Sequence, residues 1–298
     1  MRGFWGFGAF VADDELSYRF APDATITGGI EGRVARYSFR TNALGNRSAA
    51  ADTAPKRAAR LALVGASYMA GLGVGDDAAL FHNRLQALLR RDGRWPSDVE
   101  VHNLSQSGYL LQQQCLLVRR TLDAVRPDVV VLVVRPGKLL FRNRNLAVVN
   151  GVPLSKDRLL AGTPLDLLRT RSYLWMRCAT SPMLPALPGP APSGEDLTAE
   201  EGHRRQIALL TALKADLDRR GVPLVCLIIQ ATTPQFEAAL DAAGIPACYL
   251  AVEAHQMIPN DHHWNEAGHR HAAEQAAAFL SGLRERRALA LGADAQDD

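Results

Sequence analysis

The segment DVVVLVV, residues 128–134, constrains the fold more than any other stretch of the chain. Apolar side chains occupy both alternations of an extended backbone, so a strand here has to be covered on both faces. The run is far short of the ~18–20 apolar residues that cross a membrane. Similar short apolar runs occur at RLALVG (60–65), DVEVHNL (98–104), PLVCLII (223–229) and ACYL (247–250). Between them lie stretches with apolar residues at helical spacing, over 76–91, 110–125, 199–220, 233–244 and 265–287. Asp76 and Asp77 stand at the positive end of the first helix and arginines at its negative end. Pro127 stops the second helix, and Gly221 with Pro223 stops the third. Strand and helix alternate from residue 60 onward. This predicts an α/β protein, a three-layer α/β/α sandwich with a central parallel sheet.

The remaining segments are less regular. Residues 1–58 are expected to be an N-terminal extension packing on the core, irregular apart from an extended RVARYSF and a polar turn TNALGNRSAA. Short helices are expected at RLLAG, LDLLRT and YLWMRC. The segment 181–197 holds five prolines and two glycines and is expected to be a loop or lid. The α/β domain then covers 59–287, and 288–298 is an acidic tail expected to be mobile.

Composition narrows the function. Of 298 residues 47% are hydrophobic and 22% charged, the balance of a globular chain rather than a disordered one. Lys and Arg total 34 against 31 Asp and Glu, an excess of three, so no nucleic-acid or other polyanion partner is expected. Cys115, Cys178, Cys226 and Cys248 form no CxxC pair, which leaves no disulfide framework and no zinc knuckle. The opening MRGFWGFGAFVADDE has no secretory h-region or cleavage site, so the expectation is a cytoplasmic protein without a membrane span, acting on a small molecule.

In parallel α/β folds chemistry gathers at the carboxyl ends of the strands. The first strand runs into GASYMAGLGV and places Ser67 on the turn towards a helix; taken alone, this is equally an ordinary small-residue turn. The second runs into NLSQSGYLL, where Gly108 lets the backbone approach a ligand. Near the C-terminus NDHHWNEAGHRHAA places Asp261 and His263 two apart, on one side of an extended segment. The carboxylate can then orient one imidazole nitrogen while the other faces the cleft. A metal site from His262, His263, His269 and His271 is disfavoured, because adjacent extended residues point apart and His269 and His271 are about 200° apart on a helix. No metal and no cofactor are expected. GLGVG (71–75) does not follow its strand directly, and PGK (136–138) lacks the flanking residues of a phosphate loop. His82, His102 and His269 are expected to be structural.

These blocks, in this order, resemble the SGNH hydrolases, also called the GDSL esterase/lipase family. GASYMAG stands where that family has Gly-Asp-Ser, Gly108 at its oxyanion-hole glycine, and DHHWNEAGH at its Asp-x-His-x-Asn and Gly-His block. The lead-in RVARYSFRTNALGNR looks like that of one bacterial branch, so the resemblance covers most of residues 33–285. It implies a flavodoxin-like fold and a Ser67, His263, Asp261 triad. Two positions depart from the pattern. Ala66 replaces an Asp that is not the triad acid. Lys138, with Arg135 near it, falls where the family carries an Asn that donates to the oxyanion; Asn143 and Asn145 are lesser substitutes.

The resemblance implies a serine esterase or deacylase working through an acyl-enzyme. Ser67 is the expected nucleophile, His263 the base and Asp261 its orienting acid. Gly108, Lys138, Arg135 and His262 are expected around the oxyanion and substrate. The alternatives are acyl transfer to an alcohol, on which GASY and D-x-H-W also resemble alginate-type O-acetyltransferases of the superfamily, and a non-catalytic module binding an anion through Arg135 and Lys138.

Overall fold

In the computed structural model the described residues are 3–5, 8–30, 36–48, 58–136, 146–149, 152–155, 198–229, 232–259, 261–286, 289 and 291. The chain opens with five short strands, β1 (Gly3–Trp5), β2 (Phe10–Asp13), β3 (Ser17–Phe20), β4 (Thr25–Ile30) and β5 (Arg36–Arg40). β1, β4 and β5 form one antiparallel sheet, and β2 and β3 a hairpin. This differs from the irregular chain expected here, where only RVARYSF reads as extended. These strands mix exposed and buried positions, as in FVAD and SYRF, so no apolar run marks them as it marks the central strands.

The central sheet contains β6 (Arg60–Val64), β7 (Glu100–Asn103) and β8 (Val129–Val134). Chain order next brings β9 (Leu146–Val149) and β10 (Val152–Ser155), an antiparallel hairpin that no sequence pattern anticipated. The sheet is completed by β11 (Leu224–Ile228) and β12 (Ala247–Tyr249). Its order is β12-β11-β8-β6-β7 with every pairing parallel. This is the flavodoxin-like order, in which the chain steps from the first strand to one side, then crosses back to the other. The crevice at that reversal lies beyond the carboxyl ends of β6 and β8.

Helices cover both faces. They are α1 (Phe81–Arg91), α2 (Leu111–Val125), α3 (Ala199–Asp218), α4 (Pro234–Ala242) and α5 (Glu266–Glu285). Alternate residues of β8 divide between the two layers. Val130, Leu132 and Val134 pack with α2, α3 and α4, and Val129, Val131 and Val133 with α1 and α5. All six are buried, as the double-sided apolar pattern requires. Thr198, Thr233 and Asn265 cap α3, α4 and α5 through their side-chain oxygens.

Two local expectations are corrected. The helix expected over 76–91 is a short 3-10 turn, Asp77–Ala79, then α1, with Leu80 extended between them. Ser67 does lie on a turn, but that turn, with Gly71 and Gly73 at φ of +75° and +91°, leads to the 3-10 turn and not directly into a helix. The short helices expected in the middle of the chain, and the 181–197 loop, lie outside the described residues.

The N-terminal strands share a core with the α/β layers. Phe10, Tyr18, Phe20, Ile26 and Phe39 pack with Leu104, Tyr109 and Leu111. Among the described residues no helix is long and apolar enough to cross a membrane.

Candidate active site

Gly65 follows β6, and a Cβ there would lie 2.7 Å from Met69 Cγ and 3.2 Å from Val133 Cβ. That close approach lets the chain fold back at once. Met69 and Ala70 N–H donate to Ala66 O, and Leu72 N–H to Ser67 O, which leaves Ser67 half-buried at the head of the turn. The rest of the turn is held from outside. The buried Arg47 guanidinium donates to Gly71 O at 3.0 Å and Val74 O at 2.9 Å, pairs with Asp77 at 2.7 Å, and lies 4.2 Å from the Phe39 ring centroid. Tyr37 Oη accepts from Gly73 N–H at 2.8 Å, and Asn103, at the end of β7, donates to Met69 O at 2.9 Å.

Gly108 lies in the loop between β7 and α2 with φ +78°. The Gln106 N–H reaches Gly65 O at 3.4 Å, so this loop is joined directly to the Ser67 turn. Among the described residues, nothing accepts from the backbone N–H of Ser67 or of Gly108. Two donors at adjacent strand ends therefore have no partner within the described protein.

Asp261 and His263 lie on the loop before α5. The Ile258 N–H donates to His263 O and the Asp261 N–H to Ile258 O, which closes the loop on itself. Asn265 secures its exit: its side chain accepts from Gly268 N–H and donates to His255 O and Met257 O. Asp261 Oδ1 is 2.5 Å from His263 Nδ1, and His263 Nε2 is 2.7 Å from Ser67 Oγ. Residues 196 apart in sequence thus meet in one continuous hydrogen-bonded line. The His263 ring rests 4.9 Å from the ring of Tyr68, which packs edge-on against the buried Trp264.

The His263 pKa is held below its ordinary value of 6.5. Burial disfavours the imidazolium most, the Asp261 hydrogen bond and charge oppose that effect, and the charges of Arg135 and His262 add to the lowering. The ring is therefore neutral at neutral pH and can accept a proton at Nε2. Behind the site, His269 Nδ1 accepts from Phe81 N–H at 3.2 Å and His82 Nδ1 lies 3.3 Å from Asn103 Nδ2. Both rings are buried, as is His102, which pairs with Glu100 at 3.0 Å.

Other sequence-derived candidates fall around this line. Arg135 is exposed immediately after β8, and His262 is exposed beside His263. Lys138, Asn143 and Asn145 lie outside the described residues. Among the described residues no group of three or more His, Cys, Asp or Glu could hold a metal ion. Tyr18, Tyr37, Arg47, Tyr68 and Gln106 also support the site and carry no sequence motif. The only local signals were the nearness of Tyr68 to Ser67 and the place of Arg47 at the end of the lead-in RTNALGNR.

No family model matches the chain, and no curated protein matches it. Solved structures do. TesA is 16% identical over 75% of this chain and 99% of its own, with a TM-score of 0.46. The psychrotrophic esterase EstA from Pseudoalteromonas sp. is 13% identical over 76% and 98%, with a TM-score of 0.44. A GDSL-like lipase from Bacteroides thetaiotaomicron is 11% identical over 79% and 92%, with a TM-score of 0.41.

Proposed function

We propose that the chain is a serine esterase that cleaves a carboxylic ester through an acyl-enzyme. The observation that carries this reading is the unbroken line from Asp261 through His263 to Ser67. A serine hydroxyl is a weak nucleophile unless a base removes its proton as it attacks. His263 Nε2 lies within reach of that proton and is neutral at working pH.

Ser67 Oγ attacks the ester carbonyl carbon while its proton passes to His263 Nε2. The carbonyl π bond opens and its oxygen becomes an oxyanion. Asp261 keeps the Nδ1 proton in place and stabilises the imidazolium as it forms. The N–H groups of Ser67 and Gly108 receive the oxyanion; a lost donor of this kind costs ~10²–10³ in rate. The oxyanion then re-forms the carbonyl as the C–O bond to the alcohol breaks, and the alcohol takes the proton from His263. Water, deprotonated by the same ring, releases the acid and restores Ser67.

Intact-mass analysis after fluorophosphonate treatment tests the reading. One adduct is expected on the wild type and none on Ser67→Ala, together with ester hydrolysis that the substitution abolishes. A folded wild type that takes no adduct and cleaves no ester overturns it. Adding an acceptor alcohol to the same assay distinguishes hydrolysis from acyl transfer.

A further inference from the structure

The hydroxyl of Tyr18, in the N-terminal hairpin, donates to the carbonyl oxygen of Ser107 at 2.8 Å. That carbonyl belongs to the same peptide unit as the Gly108 N–H. A trans peptide is planar, so its N–H points opposite to its C=O. Anchoring the Ser107 oxygen on Tyr18 therefore sets the direction of the Gly108 N–H, which among the described residues has no acceptor. We infer that Tyr18 is a positioning residue for the oxyanion site, orienting the Ser107–Gly108 peptide so that its N–H faces the reacting carbonyl. This rests on the proposed function above.

Three observations support the assignment. First, Tyr18 is itself held tightly. It is 3% exposed, its ring packs edge-on against Phe10 and Tyr109 with centroids 5.2 and 5.5 Å away, and its own carbonyl accepts from Tyr109 Oη. Second, the same N-terminal segment grips the neighbouring residue of the loop. Gln106 accepts from Phe20 N–H at 2.7 Å and donates to Gly45 O at 3.0 Å and Asn46 Oδ1 at 3.1 Å. Third, residue 108 is a glycine at φ +78°; without a Cβ its backbone can take other conformations, so an external contact is needed to hold this one. A donor on the carbonyl also polarises the peptide and strengthens its N–H as a hydrogen-bond donor. The hairpin thus reaches the site through the Ser107 carbonyl.

The test compares an oxygen ester with its thionoester on wild type and Tyr18→Phe. The substitution removes one oxygen and keeps the ring contacts. Thiocarbonyl sulfur is a weak acceptor, so the thionoester draws little from the N–H donors. The expected result is a kcat about 10- to 100-fold lower for the oxygen ester, with KM within twofold and the thionoester rate nearly unchanged. Ser281→Ala is the control, because it removes a buried hydrogen bond to Trp95 about 22 Å along α5 from the start of that helix. It should leave both rates unchanged. An unchanged Tyr18→Phe rate overturns the inference, as does an equal fall for both esters or the same loss in Ser281→Ala. A wild type that cleaves neither ester and takes no fluorophosphonate overturns the proposed function, and this inference with it.

Discussion

The Oδ1 of Asp261 receives two hydrogen bonds from His263, one from the backbone N–H at 2.8 Å and one from ring Nδ1 at 2.5 Å. A single carboxylate oxygen therefore fixes both the main chain and the ring of the residue two positions on. The base is oriented by the local turn as much as by side-chain packing.

Asp261→Asn breaks this arrangement. An amide loses the negative charge that stabilises the imidazolium, and its NH2 can turn to donate to Nδ1, which places the ring proton on Nε2, where the base has to accept. The expected outcome is a fall in kcat of about 10⁴-fold, the scale seen when the triad acid of a serine protease becomes an amide. KM should stay within a few-fold. Steady-state kinetics on an activated ester measures both, and wild-type kcat in the variant would contradict the role given to Asp261.

The pH profile follows from the lowered pKa of His263, caused first by burial. The base works only when neutral, so kcat/KM should rise with pH through a midpoint below 6.5 and be level at neutral pH. Arg135 contributes to the lowering through its charge. Arg135→Met should move the midpoint to higher pH, since removing a neighbouring cation favours the imidazolium. A midpoint that stays put or moves down would show that Arg135 does not act on the base.

Stability should also depend on pH through His82 and His269, both pushed down to about 3, chiefly by burial. In the unfolded chain each has its ordinary value of 6.5. Between these values the unfolded state binds protons that the folded state does not, so stability rises with pH across the window. It is complete above 6.5 and is lost as the pH falls towards 3. Each ring contributes a slope of up to about 1.4 kcal/mol per pH unit inside the window. Urea unfolding at a series of pH values measures this. A flat profile below 6.5 would count against neutral burial of these rings.

Gly268→Ala should be harmful although it lies in a helix, where alanine is normally preferred. A Cβ at this position would lie 2.4 Å from Gln256 O and 2.9 Å from Trp264 Cβ. Gln256 O also accepts from Asn265 N–H at 2.9 Å, at the exit of the loop that carries His263. Crowding of this kind typically costs about 1–3 kcal/mol. The expected outcome is a lower melting temperature together with a lower kcat. A stable, fully active variant would mean that the loop yields without moving His263.

Legibility in the sequence followed the range of the interactions. β6, β8 and β11 were readable because each is an apolar run buried on both faces, and α2, α3 and α5 because their apolar residues recur at helical spacing. The Ser67, Asp261 and His263 expectations came from short motifs, one just after β6 and one on the loop before α5. The turn at Ser67 was legible, but how far it runs before the next helix was not, because glycine φ angles do not show in an apolar pattern. Of the N-terminal strands only β5, within RVARYSF, was legible, because β2 and β3 mix exposed and buried positions and carry no apolar run.

The sequence by itself determined the alternation of strand and helix, hence the parallel sheet and the edge at which chemistry gathers. Those choices depend on neighbours a few residues apart, through burial and backbone sterics. Only the tertiary structure decided what holds the site in shape. Tyr18 meets Ser107 across 89 residues, and Gln106 meets Asn46 across 60. Each is a directional hydrogen bond between side chain and distant partner, and no local periodicity encodes it. The bond exists because two hydrophobic layers pack and bring those groups within 3.1 Å of each other.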